Sequence, residues 1–235
     1  EFGNTALILA ARNGHSECVQ KLISAGCELN IQNKDGMTAL MYAAYNGYSE
    51  SVQQLITAGC DLNIQNNDGM TALMYAARNG KSESVQQLIT AGCDLNIQDK
   101  DGWTALMHAA RNGHSECIQL LITAGCDLNI QSEGGWTALI TAAYNGHSES
   151  VQQLITAGCD LNIQDKDGWT ALIFAARYGH LEFVKLLITA GCDLNIQNKN
   201  GYTALMYAAN IFHSESVQQL ITAGCELNIQ NNDGY

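Results

Sequence analysis

Eight glycines, Gly3, Gly36, Gly69, Gly102, Gly135, Gly168, Gly201 and Gly234, stand 33 residues apart without a single slip. A fixed period of this length means one supersecondary unit copied along an axis. Each copy then buries its apolar face against its neighbours rather than in one central core. The copies are close. Residues 34–65 and 67–98 differ at three positions only, Lys34/Asn67, Tyr45/Arg78 and Tyr48/Lys81.

Each unit reads as a turn, a helix, a second turn and a second helix. Asp35-Gly36 is a turn signal, with glycine supplying a positive φ. Thr38 is placed to cap the helix that follows, because its hydroxyl accepts from an orphan backbone N–H. The first helix, from Ala39 to Tyr45, is short and alanine-rich, which lets another helix approach closely. Asn46-Gly47 in isolation suggests a β-hairpin, but its flanks have helical rather than alternating period, so the reading is a helix–helix turn. The second helix, Ser49 to Ala58, carries Val52, Leu55 and Ile56 as one apolar stripe, with Glu50 in its first turn and Gly59 as a left-handed cap. Leu62 and Ile64 then alternate with Asn63 and Gln65 in an extended stretch with one buried side. The predicted class is all-α, a single array of seven stacked repeats over 1–33, 34–66, 67–99, 100–132, 133–165, 166–198 and 199–231. Residues 232–235 open a further copy.

The unit D-G-x-T-A-L-M-x-A-A-x-N-G-H-S-E-S-V-Q-Q-L-I-T-A-G-C-D-L-N-I-Q resembles the ankyrin repeat. The likeness is closest in residues 166–198, with Asp167-Gly168, Thr170-Ala171-Leu172, Ala175-Ala176, Gly179-His180-Leu181-Glu182, Val184-Lys185-Leu186-Leu187, Gly191 and Asp193-Leu194-Asn195. The resemblance spans the chain. It implies a helix-turn-helix solenoid with short turn or hairpin fingers, acting as a protein-recognition module that holds partners on its concave side. It also implies that the recurrent histidine ties a turn to its neighbour and that the Asp and Asn of Asp-Leu-Asn brace the loop. One departure recurs: the family's Thr-Pro-Leu-His is Thr-Ala-Leu-Met or Thr-Ala-Leu-Ile here. Met41, Met74, Met107 and Met206 are expected to supply apolar packing instead.

The formal charge of −12 argues against nucleic acid, which needs a basic footprint, and leaves basic or neutral apolar partners open. No stretch approaches 18 apolar residues and no basic start precedes an apolar run, so neither membrane insertion nor a signal peptide is read. Seven of nine cysteines (Cys27, Cys60, Cys93, Cys126, Cys159, Cys192, Cys225) share one repeat position. Stacked repeats hold equivalent atoms roughly 8–10 Å apart, beyond the Cα separation of about 7 Å a disulfide allows. They read as free thiols acting as buried hydrophobes, as do Cys18 and Cys117, which implies a reducing compartment inside the cell, the cytoplasm. Both ends of the sequence stop inside a repeat and lack a polar capping face. The expectation is an excised piece of a longer array, with Glu1-Phe2 as a cloning remnant.

His-Ser-Glu at His15, His114, His147 and His213 is not a catalytic triad, since consecutive residues opening a helix do not face one another. Histidines one repeat apart cannot share a metal that binds nitrogen at about 2 Å. Asp61-Leu62-Asn63 lacks the spacing of a calcium loop, and no glycine-rich phosphate loop follows a strand. No enzyme activity, cofactor or metal is read. Gln53-Gln54 and its copies read as a solvated face.

The positions that differ between copies carry the recognition reading. At the turn tip stand Met37, Met70, Trp103, Trp136, Trp169 and Tyr202. Mid first helix stand Leu9, Tyr42, Tyr75, His108, Thr141, Phe174 and Tyr207. Three residues on stand Arg12, Tyr45, Arg78, Arg111, Tyr144, Arg177 and Asn210. Trp, Tyr and Arg are the types enriched in interface hot spots. The expected binding residues are Trp103, Trp136, Trp169, Tyr202, Tyr75, His108, Phe174, Tyr207, Arg78, Arg111, Tyr144 and Arg177, centred on repeats four to six. The competing reading is that these rings only cover the neighbouring repeat. The function expected is non-catalytic scaffolding of a protein or peptide. A self-associating structural array, a targeting arm of a larger enzyme and an engineered repeat scaffold stay open beside it. Val217, Leu220 and Ile221 are expected to form a sticky end favouring weak end-to-end association. Phe212, where six copies have glycine, is expected to remodel its turn and form an apolar knob with Ile211.

Overall fold

A computed structural model describes residues 3–233. Glu1, Phe2, Gly234 and Tyr235, on which the reading of a cloning remnant and part of the further copy fall, lie outside the described residues. The described residues form fourteen α-helices and no strand. They fall into two compact units, Glu1–Asp127 and Leu128–Tyr235. The first holds α1 (Ala6–Arg12), α2 (Ser16–Ser24), α3 (Ala39–Asn46), α4 (Ser49–Thr57), α5 (Ala72–Arg78), α6 (Ser82–Thr90), α7 (Ala105–Asn112) and α8 (Ser115–Thr123). The second holds α9 (Ala138–Asn145), α10 (Ser148–Thr156), α11 (Ala171–Tyr178), α12 (Leu181–Thr189), α13 (Ala204–Asn210) and α14 (Ser214–Thr222).

Local chemistry sets each pair. Thr38 has extended backbone and its Oγ1 accepts from Met41 N–H at 3.2 Å, and Met41 Sδ accepts in return from Thr38 N–H at 3.5 Å. The methionine thus takes over a polar tie at the helix base as well as packing, being 1% exposed. Alanines keep the first helices slim: Ala43, Ala44, Ala76 and Ala77 are completely buried. In the first unit α1, α3, α5 and α7 stack as one layer and α2, α4, α6 and α8 as another; the second unit layers α9, α11, α13 and α10, α12, α14 likewise. Val52 and Leu55 fill the space between layers, whereas Ile56, Leu62 and Ile64 are only half-buried.

Side-chain amides lock neighbouring repeats in register. Gln65 Nε2 donates to the Gly69 carbonyl at 2.6 Å and to the Gln98 carbonyl, one repeat on, at 2.9 Å. Asp61 N–H donates to Asn30 Oδ1 at 2.9 Å, while Asp61 Oδ1 accepts from Asn63 N–H at 2.9 Å, so both residues brace the loop. Between fingers, Lys100 N–H donates to the Asp68 carbonyl and Lys199 N–H to that of Asp167.

Several expectations need correction. Cys18 is exposed and Cys27 half-buried, not buried, because within the chain α2 is stacked on one side only. The other seven cysteines are buried, and all nine are free. Burial, reinforced by an adjacent carboxylate, pushes Cys60, Cys93, Cys117, Cys126 and Cys192 up to about 11. The second glutamine of each pair is not simply solvated. Gln54, Gln87 and Gln153 bury a carbonyl oxygen that has no partner among the described residues. At repeat seven Leu220 is fully buried within its own repeat, Val217 is half-buried and Ile221 is 43% exposed. Phe212 does not remodel its turn: it sits at φ 60, beside glycine values of 65–81° at the equivalent turns. His213 N–H still donates to the Ala208 carbonyl at 2.9 Å, as His180 does to Ala175 at 3.0 Å. The knob is present, with Ile211 40% and Phe212 93% exposed. The helix and loop bonds on either side hold the turn, and the strain remains in one residue.

Candidate interaction surface

Three depths separate the three variable positions. The turn-tip rings Trp103, Trp136, Trp169 and Tyr202 are half-buried, while Met37 and Met70 are buried. From repeat four on, mid-helix residues lie deepest: Thr141 is inaccessible, and His108, Phe174 and Tyr207 are 6–8% exposed, whereas Leu9 in repeat one is 46% exposed and Tyr42 half-buried. Tyr75 is half-buried. One turn further, Tyr45, Arg78, Arg111, Tyr144 and Arg177 are exposed.

The mid-helix residue pairs with the finger residue nine positions before it. Asn66 Nδ2 donates to Tyr75 Oη at 2.8 Å, and Asn198 Nδ2 to Tyr207 Oη at 3.0 Å. In repeat four the pair becomes His108 Nε2 with Asp99 Oδ2 at 2.8 Å, both side chains 8% exposed. Burial alone would raise the Asp99 carboxyl, but hydrogen bonds from His108 and the Trp103 N–H outweigh it and hold the group below its ordinary value. Opposite Phe174 of repeat six stands Asp165, which has no such partner. Burial therefore wins over the N–H donors of Trp169 and Asp167 and raises its pKa.

In the second unit the rings join into a ribbon. Tyr144 meets Trp136 at 5.1 Å, Trp136 meets Phe174 at 5.2 Å, Phe174 stacks on Trp169 at 4.9 Å, Trp169 meets Tyr207 at 4.6 Å, and Tyr207 meets Tyr202 at 5.1 Å. The Arg177 guanidinium lies 5.0 Å over Trp169 and 5.5 Å over Tyr207. Such contacts fix ring orientation and pre-order the arginine. Tyr178 extends the ribbon, 5.2 Å from Tyr144 and 45% exposed. Sequence reasoning passed over Tyr178, although it stands where five of the other six copies have an asparagine that bonds back to its own helix, as Asn145 Nδ2 does to the Thr141 carbonyl at 2.8 Å.

The first unit is arranged differently. Arg111 lies 5.4 Å over Trp103, and Trp103 tilts against His108 at 5.6 Å. Arg78 turns toward Met70 Sδ at 3.9 Å. Tyr45 meets Tyr75 edge-on at 5.7 Å. Arg12, Asn13, Met37, Tyr42, Tyr45, Asn46 and Tyr75 line a depression of about 340 Å³.

Charge is partitioned between the two sides of the repeat. Fourteen of the 23 acidic residues lie on second helices or the loops after them, with only Lys21, Lys81 and Lys185 of the 11 basic ones. Apart from Glu1, which lies outside the described residues, fingers and first helices carry eight of each sign. The ring-bearing side is therefore charge-balanced. His114, of the His-Ser-Glu series, spends its Nε2 on the Arg78 carbonyl at 3.1 Å, a structural tie to the preceding repeat. Among the described residues no group of three or more His, Cys, Asp or Glu is placed to hold a metal, and no helix is long and apolar enough to cross a membrane.

The profile described as "Ankyrin repeats (3 copies)" matches residues 7–99, 73–165 and 139–231. Among solved structures, the chain is similar to the ankyrin repeat domain of Bcl-3, described as a unique member of the IkappaB protein family. The two share 29% identity with a TM-score of 0.84, over 94% of this chain and all of that one. The human ASB11 ankyrin repeat domain is similar in fold, with 24% identity, a TM-score of 0.81, and 95% and 100% coverage. Among curated proteins, none matches the sequence.

Proposed function

The chain belongs to the ankyrin repeat family, a family of protein–protein interaction modules, and from that premise we propose that it is a non-catalytic scaffold that holds a protein or peptide against its fingers and first helices. The observation that carries this reading is the ring ribbon of the second unit, in which half-exposed Trp136, Trp169 and Tyr202 and exposed Tyr144 rest on buried Phe174 and Tyr207, with Arg177 over Trp169 and Tyr207. Rigid aromatic groups bring large contact area at low entropic cost, and pre-ordered arginine loses less freedom on binding. The balanced charge of that side favours a partner chosen by shape and apolar contact. The acidic second-helix side then serves solubility. In the first unit Trp103 with Arg111 forms a smaller surface of the same composition.

The test is affinity for peptides selected from a displayed random library against the whole chain. Tyr144→Ala and Arg177→Ala remove exposed groups without opening the core. Trp136→Ala and Trp169→Ala remove the anchors. Loss of an anchor is expected to weaken binding by about 2 kcal/mol, about 30-fold, while Gln53→Ala on a second helix leaves affinity unchanged. Unaltered affinity in all four variants, with helical circular dichroism intact, overturns the assignment.

A further inference from the structure

Inside each unit, the helix–helix turn of one repeat is a seat for the next. An added Cβ would stand 2.8 Å from the Tyr48 ring at Gly14, 2.7 Å from Lys81 at Gly47, 2.6 Å from the His114 ring at Gly80 and 2.7 Å from the His213 ring at Gly179; at Gly146 it would stand 3.3 Å from the His180 ring, a tight but smaller intrusion. Real Cβ contacts essentially never come under 3.0 Å, so the first four glycines serve close approach as well as positive φ. The seated histidine also bonds downward: His114 reaches the Arg78 carbonyl at 3.1 Å, and His180 bonds the Tyr144 backbone.

We propose that Phe212 is a stacking stop, closing the helical face of repeat seven to any further repeat seated in the register used inside each unit. Phe212 keeps the left-handed backbone of the glycines it replaces, at φ 60. Its Cβ therefore points into the same seat, with a whole ring behind it, 93% exposed. The finger layer, by contrast, continues in register: Asn232 N–H donates to the Asn200 carbonyl at 3.1 Å and Asn232 Nδ2 to the Lys199 carbonyl at 2.8 Å. A following repeat is thus launched correctly at the finger and refused at the turn. The refused face is otherwise receptive, since Leu205, Met206 and Val217 are half-buried and Ile221 is 43% exposed. Phe212 withholds that face from one more copy of the unit.

The experiment extends the full chain by one copy. Tyr235 stands at the position of Met37, so appending the sequence of residues 38–66 continues the register. Amide hydrogen exchange is then measured in the appended helices, with Phe212 and with Phe212→Gly. The Phe212→Gly chain is expected to protect the appended pair at least tenfold more than the Phe212 chain does. The same substitution in the unextended chain measures the relief of strain within repeat seven, which is subtracted. Equal protection in the two extended chains overturns the proposal, as does an appended pair unprotected in both or a gain no larger than the strain relief.

Discussion

A single side chain decides more here than the near-identity of the repeats suggests. Phe212 holds a left-handed backbone that costs a non-glycine residue about 1–2 kcal/mol, and its exposed ring recovers nothing by burial. Phe212→Gly is therefore expected to stabilise the chain by about 1 kcal/mol, read as a higher urea midpoint at unchanged slope. Asp99 and Asp165 occupy the same repeat position with opposite consequences. The Asp99 carboxyl is held below its ordinary pKa, so its contribution to stability is present at neutral pH and is lost as pH falls through the folded value. The Asp165 carboxyl is raised, so ionisation above the ordinary value weakens the fold. At pH 7 Asp99→Asn should lower the melting temperature and Asp165→Asn should raise it; shifts of the same sign would refute the distinction. The buried thiols follow the same logic. With pKa values pushed from 9.0 up to about 11, they favour the neutral form in the folded state, and stability should decline as pH rises from 9 toward 11. At pH 8 exposed Cys18 should alkylate before any buried cysteine, as mass spectrometry of timed samples would record.

The helix pair was largely legible in the sequence, because its determinants are local. Thr38, Gly59 and the Val52–Leu55 spacing act within a few residues of one another, and caps and buried faces fall where those residues stand. What was not legible depends on contacts across a turn or between repeats. The pairing of Asn66 with Tyr75, or of Asp99 with His108, links residues nine apart whose proximity exists only once the finger folds back. The exposure of Cys18 likewise follows from what does not stack beside it. Glycine positions separate the local from the non-local cost. Gly59 has positive φ and open space around it, whereas a Cβ at Gly36 would stand 2.5 Å from the Asn67 backbone nitrogen. Gly59→Ala should cost about 1 kcal/mol. Gly36→Ala should cost a further 1–3 kcal/mol or so, since backbone rather than a mobile side-chain tip must give way. Equal midpoints in denaturant would show that the finger is softer than its geometry implies.

Across the whole molecule, stability is a matter of neighbours, and charge is a matter of sides. In a stack each repeat leans on the adjoining ones, so protection should fall where a neighbour is missing. Amides of α13 and α14 should exchange faster than those of α11 and α12, consistent with Leu205, Met206 and Val217 being half-buried where their equivalents are buried. Uniform protection across the second unit would contradict this. Because fingers and first helices carry equal numbers of each charge, binding there should change little between low and physiological salt. A steep salt slope would place the partner on the acidic second-helix side instead. The amide ladder has one more consequence, for how such a gene can change. Gln131 donates to the Gln164 carbonyl, Gln164 to that of Gln197, and Gln197 to that of Gln230, so each rung joins a residue to its own counterpart. At this ladder, each copy therefore offers its neighbour the same rung. A recombination event that removes or duplicates 33 codons in frame leaves every rung matched, whereas one that removes 32 leaves the donor at the junction facing the wrong carbonyl. The chain is written in words of fixed length: the number of words can change, but the length of a word cannot.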